Sequence, residues 1–135
     1  PGETPLALSA LELMMGITIC YDMRFPELYR RLAEAGAELF SVPSAFTVPT
    51  GQAHWHTLLR ARAIENLAWV IAPAQVGEHP NGRRTFGHSL IINPWGEIVA
   101  ERTGGPGVIF ARLDRADAAQ RRRQFPALEH RVLKG

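Results

Sequence analysis

One thiol stands out among the side chains that could do chemistry. Cys20, the only cysteine in the chain, ends the apolar run of Gly16-Ile17-Thr18-Ile19-Cys20, and Tyr21-Asp22-Met23-Arg24-Phe25-Pro26-Glu27 follows it. A residue between the end of a buried strand and the start of a helix is held rigidly, and the positive end of a helix dipole favours its thiolate. The same pattern also suits an inert cysteine, because a lone thiol in an apolar stretch often serves as a small buried hydrophobe. Arg24 follows just after the break, and its guanidinium has the fork geometry that suits bidentate pairing with a carboxylate. It could equally form a structural ion pair with Asp22 or Glu27. Tyr21 and Phe46 suit either a pocket wall or a core. His88 reads as structural support, with a Cys20–His88 dyad as a different way of activating the thiol. His54, His56 and His88 lack metal-ligand spacing with a second cysteine or a carboxylate.

Short apolar strands alternating with helices must place these residues. Strands are expected over 12–20, 37–43, 67–74, 86–93, 98–102 and 107–113. Helices are expected over 25–35, with Pro26 in the first turn and Gly36 as the stop, and over 52–66. A last helix, capped by Asp114, should run to about Gln124. Leu28, Leu32 and Ala35 should face inward from the first helix. Residues 44–51 and 75–85 read as loops, and Pro94-Trp95-Gly96-Glu97 as a tight turn. The order predicts an α/β architecture, a mixed sheet flanked by helices. Two helices and the C-terminal tail would cover one face, leaving the other for a second sheet or a missing half.

Composition bounds the rest. The 135 residues are 46% hydrophobic and 21% charged, which is ordinary for a globular chain. No apolar run is long enough to span a bilayer, and no signal peptide is visible. One cysteine precludes an intrachain disulfide framework, and a reducing cytoplasm is the default expectation. The net charge is only +2. The run Arg121-Arg122-Arg123 has no interleaved aromatics, so it reads as a solvated or acid-pairing helix face and not as a nucleic-acid surface.

The motif around Cys20 resembles the nucleophile motif of the nitrilase, or carbon–nitrogen hydrolase, superfamily. Further segments agree with it in order: Pro43-Ser44-Ala45-Phe46, Gly51-Gln52-Ala53-His54-Trp55, 60–66, Gly87-His88-Ser89 and Asn93-Pro94-Trp95-Gly96-Glu97. They are most similar to the amidase branch that includes ω-amidase and deaminated-glutathione amidase. The resemblance implies part of an α-β-β-α sandwich, with Cys20 as nucleophile and the Tyr21 backbone N–H as oxyanion donor. It also implies that Arg24, Ala45 and Phe46 contact substrate, with Asp22, Glu27 and His88 in support. No metal or organic cofactor is implied.

The expected reaction is hydrolysis of a small linear amide to a carboxylic acid and ammonia, with an N-carbamoyl amino acid as the alternative substrate. The family's Lys and Glu have no matching motif here; only Glu3 and Glu12 precede Cys20 as acids, and the sole lysine is Lys134. The chain is therefore expected to be the C-terminal portion of a single domain, or an inactive assembly module. It should form a homo-oligomer through the helices 25–36 and 52–66, and survive alone only as a dimer or larger. Neither nucleic acid nor membrane is an expected partner.

Overall fold

A computed structural model describes residues 2–10 and 12–133. Lys134 lies outside the described residues. Six strands form one mixed sheet in the order β1 (Leu6–Ala10), β2 (Leu13–Ile17), β3 (Leu39–Ser41), β4 (Trp69–Ala72), β7 (Ser89–Ile92), β8 (Ile98–Arg102). β2, β3 and β4 run parallel, whereas β1 and the β4–β7–β8 edge pair antiparallel. A separate two-stranded ribbon, β5 (Val76–Glu78) with β6 (Arg84–Phe86), occupies the segment read as a polar loop. Its strands are short and mostly solvated, so no apolar run marks them.

The parallel strands are joined through helices, as parallel pairing requires. α1 (Pro26–Glu34) connects β2 to β3; α2 (Val48–Thr50), a wide π turn over Gly51–Trp55 and α3 (His56–Asn66) connect β3 to β4. Alternation along the strands sorts the side chains. Phe40, Val70, Ala72, Leu90 and Ile92 meet Tyr29, Leu32, Trp55 and Leu59 in one core. Leu39, Trp69 and Ile91 point to the opposite face. In α1 the inward positions are Tyr29 and Leu32, with Leu28 half-buried. Ala35, expected to face inward, is exposed at the C-cap of α1.

Three further expectations are corrected. The strand expected over 12–20 is the second arm of a hairpin: Glu12 turns the chain at φ 63°, and pairing stops at Ile17. The segment 107–113 alternates as a strand should but joins no ladder. Ile109, Ala111 and Leu113 lie against Leu39, Trp69 and Ile91, while Val108 and Phe110 face outward, so this segment and Ala118 of α4 (Arg115–Gln124) cover the second face. The basic run is not merely a solvated face. Arg121 pairs with Asp117 at 2.7 Å, and Arg122 donates to the carbonyls of Ala37, Asn66 and Leu67 at 2.8–3.2 Å.

Arg122 thus supplies donors to the end of α3, whose last carbonyls have no partner within the helix. Burial pushes its pKa down from the usual guanidinium value, though Arg stays charged. Arg122→Met should leave three carbonyls short of a donor and cost about 2 kcal/mol. Urea unfolding of this variant against Arg123→Met, an exposed neighbour expected to be silent, measures that cost.

Candidate active site

The site is built where β2 gives way to α1. Thr18 and Cys20 continue the parallel pairing past the strand end, their N–H groups donating to the carbonyls of Ser41 (3.0 Å) and Pro43 (2.9 Å). Cys20 then takes φ 49°, a left-handed conformation that is uncommon for a residue with a side chain. Such strain persists only where the surroundings over-determine it. Here they do. Ile19 N–H donates to Asp22 Oδ2 at 2.8 Å, Asp22 N–H donates to Ile19 carbonyl at 3.0 Å, and Arg62 Nε donates to Met23 carbonyl at 2.9 Å. A 3-10 turn over Cys20–Arg24 separates the thiol from α1, which begins only at Pro26. Cys20 therefore sits outside the first turn of α1, where a helix dipole acts most strongly.

Cys20 lies between two cavities. One, of about 210 Å³, is lined by Cys20, Tyr21, Arg24, Ala45, Phe46, Thr47, Thr50 and Arg83. The other, of about 540 Å³, runs past Ser44 and Ala45 to Gln75, Ser89 and Gly107. The linings bring together five residues expected from the sequence: Cys20, Tyr21, Arg24, Ala45 and Phe46. No carboxylate, lysine or histidine is in either lining.

Arg24 forms neither expected ion pair. Its guanidinium lies over the rings of Tyr21 (5.3 Å) and Phe46 (5.2 Å), with Nη1 3.3 Å from His54 Nδ1. A cation over two aromatic faces is positioned without a carboxylate to neutralise it. Asp22 caps the elbow instead, and Glu27 stands exposed at the start of α1. His88, also at positive φ (61°), stacks on Phe86 at 3.8 Å, with Nδ1 2.9 Å from the Phe86 carbonyl. Its own carbonyl accepts from Trp55 Nε1 at 2.8 Å, and Trp55 packs on Phe46. His88 supports the pocket wall through that chain of contacts and lines neither cavity, which leaves the Cys20–His88 dyad without geometric support.

Sequence reasoning missed Thr47, Thr50 and Arg83. The two hydroxyls meet at 3.0 Å where the helix turns under the pocket, and Arg83 arrives from the ribbon. Gly51 is explained by contact: a Cβ there would sit 2.3 Å from the Phe86 ring. Among the described residues no cluster of three His, Cys, Asp or Glu side chains could hold a metal ion. No helix among them is long and apolar enough to cross a membrane.

The elbow is thus a left-handed cysteine just past the end of a parallel strand, with an arginine one turn on. Residues 1–123 match the carbon-nitrogen hydrolase family, and the chain belongs to that family. It is 52% identical over 118 residues to a deaminated glutathione amidase of Synechocystis, covering 87% of this chain and 43% of that protein. A member of branch 10 of the nitrilase superfamily from Saccharomyces cerevisiae superposes with TM-score 0.91 at 37% identity, over 98% of this chain and 49% of that one. An amidase from Nesterenkonia sp. AN1, showing Michael addition of acrylamide at its active site cysteine, superposes with TM-score 0.76 at 31% identity, over 93% of this chain and 49% of that one. The chain spans less than half the length of these relatives.

Proposed function

We propose that this chain carries the nucleophile-bearing part of an amidase that hydrolyses a small linear amide to a carboxylic acid and ammonia or an amine. The observation that carries the reading is the strained, over-determined Cys20 facing a cavity with an acid-free arginine. Cys20 Sγ attacks the amide carbon, forming a C–S bond. The C–N bond breaks, and the nitrogen leaves with a proton. Water then cleaves the thioester, releasing the acid and restoring the thiol. The Tyr21 backbone N–H opens the turn beside Cys20 and is suited to hold the oxyanion. Arg24 holds a substrate carboxylate, with Ala45 and Phe46 as the wall against which the chain of the substrate lies.

The thiol proton needs an acceptor, and none lines either cavity. In this reading the acceptor belongs to a stretch of protein outside these residues, consistent with the coverage of the relatives. The same gap favours a second reading for the chain on its own: an assembly module, joined to other copies through the outer faces of α1 and α3, where Ile64 is exposed. A carbamoyl substrate would use the same elbow.

Incubation with a carboxylate-bearing amide, followed by acid quench and intact-mass measurement, tests the hydrolase reading. The expected result is an acyl adduct on Cys20 that decays as acid product accumulates, in the chain supplemented with the remainder of the domain. An unmodified thiol and no product under those conditions would leave only the assembly reading.

A further inference from the structure

The wide turn that leads into α3 reaches back to the elbow. Gly51–Trp55 is a π turn, a rare local widening that often accompanies function. Both of its ends are pinned. Gly51 is buried against the Phe86 ring, and buried Trp55 donates from Nε1 to the His88 carbonyl at 2.8 Å. Between them His54 is exposed, and its Nδ1 stands 3.3 Å from Arg24 Nη1. A guanidinium can only donate, so Nδ1 accepts and the ring carries its proton on Nε2. Among the described residues this is the only hydrogen bond of the Arg24 side chain, and Arg24 joins no ion pair. The faces of Tyr21 and Phe46 confine the cation but do not fix which edge of the fork points where, because a ring quadrupole attracts charge and not a particular N–H. The Nδ1 contact supplies that missing direction. Arg62 of α3 already holds the backbone of the same turn at the Met23 carbonyl. His54 holds its side chain.

Resting on the amidase reading above, we propose that His54 is a positioning residue that orients Arg24 for the substrate carboxylate. Its ring lines neither cavity, so it acts through Arg24 and not on the substrate. With Nη1 held, Nε and Nη2 have no protein partner among the described residues, and that edge of the fork matches a carboxylate in bidentate form. Without His54 the guanidinium would turn between the two rings, and the substrate would have to immobilise it on binding. The residue type matters as well. An aspartate or glutamate at this place would hold Arg24 but neutralise it. An imidazole nitrogen holds it and leaves its charge for the ligand.

The test reads binding. No group in either lining takes the thiol proton, so the chain alone holds an amide without turning it over. Cys20 is the only thiol, and its alkylation by iodoacetamide is followed by intact mass in the presence of glutaramate or of pentanamide, the same chain with a methyl in place of the carboxylate. Glutaramate should protect Cys20 at roughly ten-fold lower concentration, as a charge-assisted hydrogen bond predicts. His54→Phe keeps a ring and deletes the acceptor. It should raise the glutaramate concentration needed by roughly three- to ten-fold, the cost of ordering one long side chain, and leave pentanamide unchanged. His54→Asn puts an amide oxygen near the place of Nδ1 and should restore most of the advantage. Gln52→Ala, altering an exposed side chain on the same turn, should change nothing. An advantage that survives His54→Phe, or that is lost equally in His54→Asn or in Gln52→Ala, would overturn this proposal alone. Equal protection by the two amides in the unsubstituted chain would overturn the carboxylate role of Arg24 and the proposal with it. Failure of the hydrolase reading would show separately, as normal protection without an acyl adduct in the supplemented chain.

Discussion

Cys20→Ala should abolish the proposed amide hydrolysis, with a loss of at least about 10⁴-fold in kcat, because a nucleophile working as one member of a catalytic unit is not replaced by its neighbours. The serine and threonine hydroxyls lining the two cavities are committed to other hydrogen bonds. Ser44 Oγ donates to Val42 carbonyl, and Thr50 Oγ1 donates to Thr47 carbonyl. Neither stands in the left-handed elbow that aims Cys20. Cys20→Ser keeps the shape but substitutes a weaker nucleophile, so it should be nearly as inactive. Both variants should fold normally, since Cys20 is only half-buried and its backbone bond to Pro43 does not involve the side chain. Ammonia or amine release, measured beside circular dichroism, decides the matter. Activity within ten-fold of the unsubstituted enzyme, in a folded Cys20→Ala protein, would remove Cys20 from the mechanism.

The sequence made the elbow legible because its parts are contiguous. An apolar run, a thiol, a short polar break and a proline-started helix lie within a dozen residues, and local rules place them. The parallel core strands were legible for the same reason: Leu39, Phe40 and the run 69–72 are apolar on both faces, as a covered parallel strand must be. What escaped is set by long-range contact. The ribbon that delivers Arg83 is polar, and no periodicity reveals that its turn reaches Ala45, thirty-eight residues earlier. Segment 107–113 has the alternation of a strand, but alternation reports one buried face and says nothing about a hydrogen-bonded neighbour. Arg122 looked solvated because a basic run usually is; its partners are carbonyls at the ends of distant elements, which carry no sequence signal. For Arg24 the sequence leaves a substrate carboxylate and an ion pair with Asp22 or Glu27 equally open; Asp22 is spent on the backbone of Ile19 and the guanidinium turns to aromatic faces instead.

Arg62→Met should unfold the elbow before it unfolds anything else. Arg62 is buried on α3, and its Nε holds the Met23 carbonyl inside the turn that carries Cys20. Nη1 pairs with Glu65 at 2.8 Å, and the guanidinium lies 5.5 Å from the Tyr29 ring centre. Tyr29 in turn shares a 2.8 Å hydrogen bond with Thr18 Oγ1, which also donates to the Ser41 carbonyl. Burial holds the Tyr29 hydroxyl pKa above its ordinary value, so it stays a neutral partner across the whole working pH range. One side chain therefore ties the helix, the elbow and the end of β2 together. Methionine fills the space but donates nothing, so a buried carbonyl loses its partner and the cation over Tyr29 is lost. The expected cost is about 3 kcal/mol, and roughly 10 °C in melting temperature for a chain of this size. Glu65→Gln supplies the contrast. Glu65 is about one-third exposed, water can replace it, and the loss should stay below about 1 kcal/mol. Alkylation of Cys20 under native conditions adds a readout that global stability alone does not move: in Arg62→Met its rate should lose the dependence on Asp22 that the intact turn imposes, so that Asp22→Ala changes it in the parent and not in the variant. If Arg62→Met melts with the parent and Asp22→Ala acts equally in both, the turn is held by the strand pairing at Ser41 and Pro43 alone.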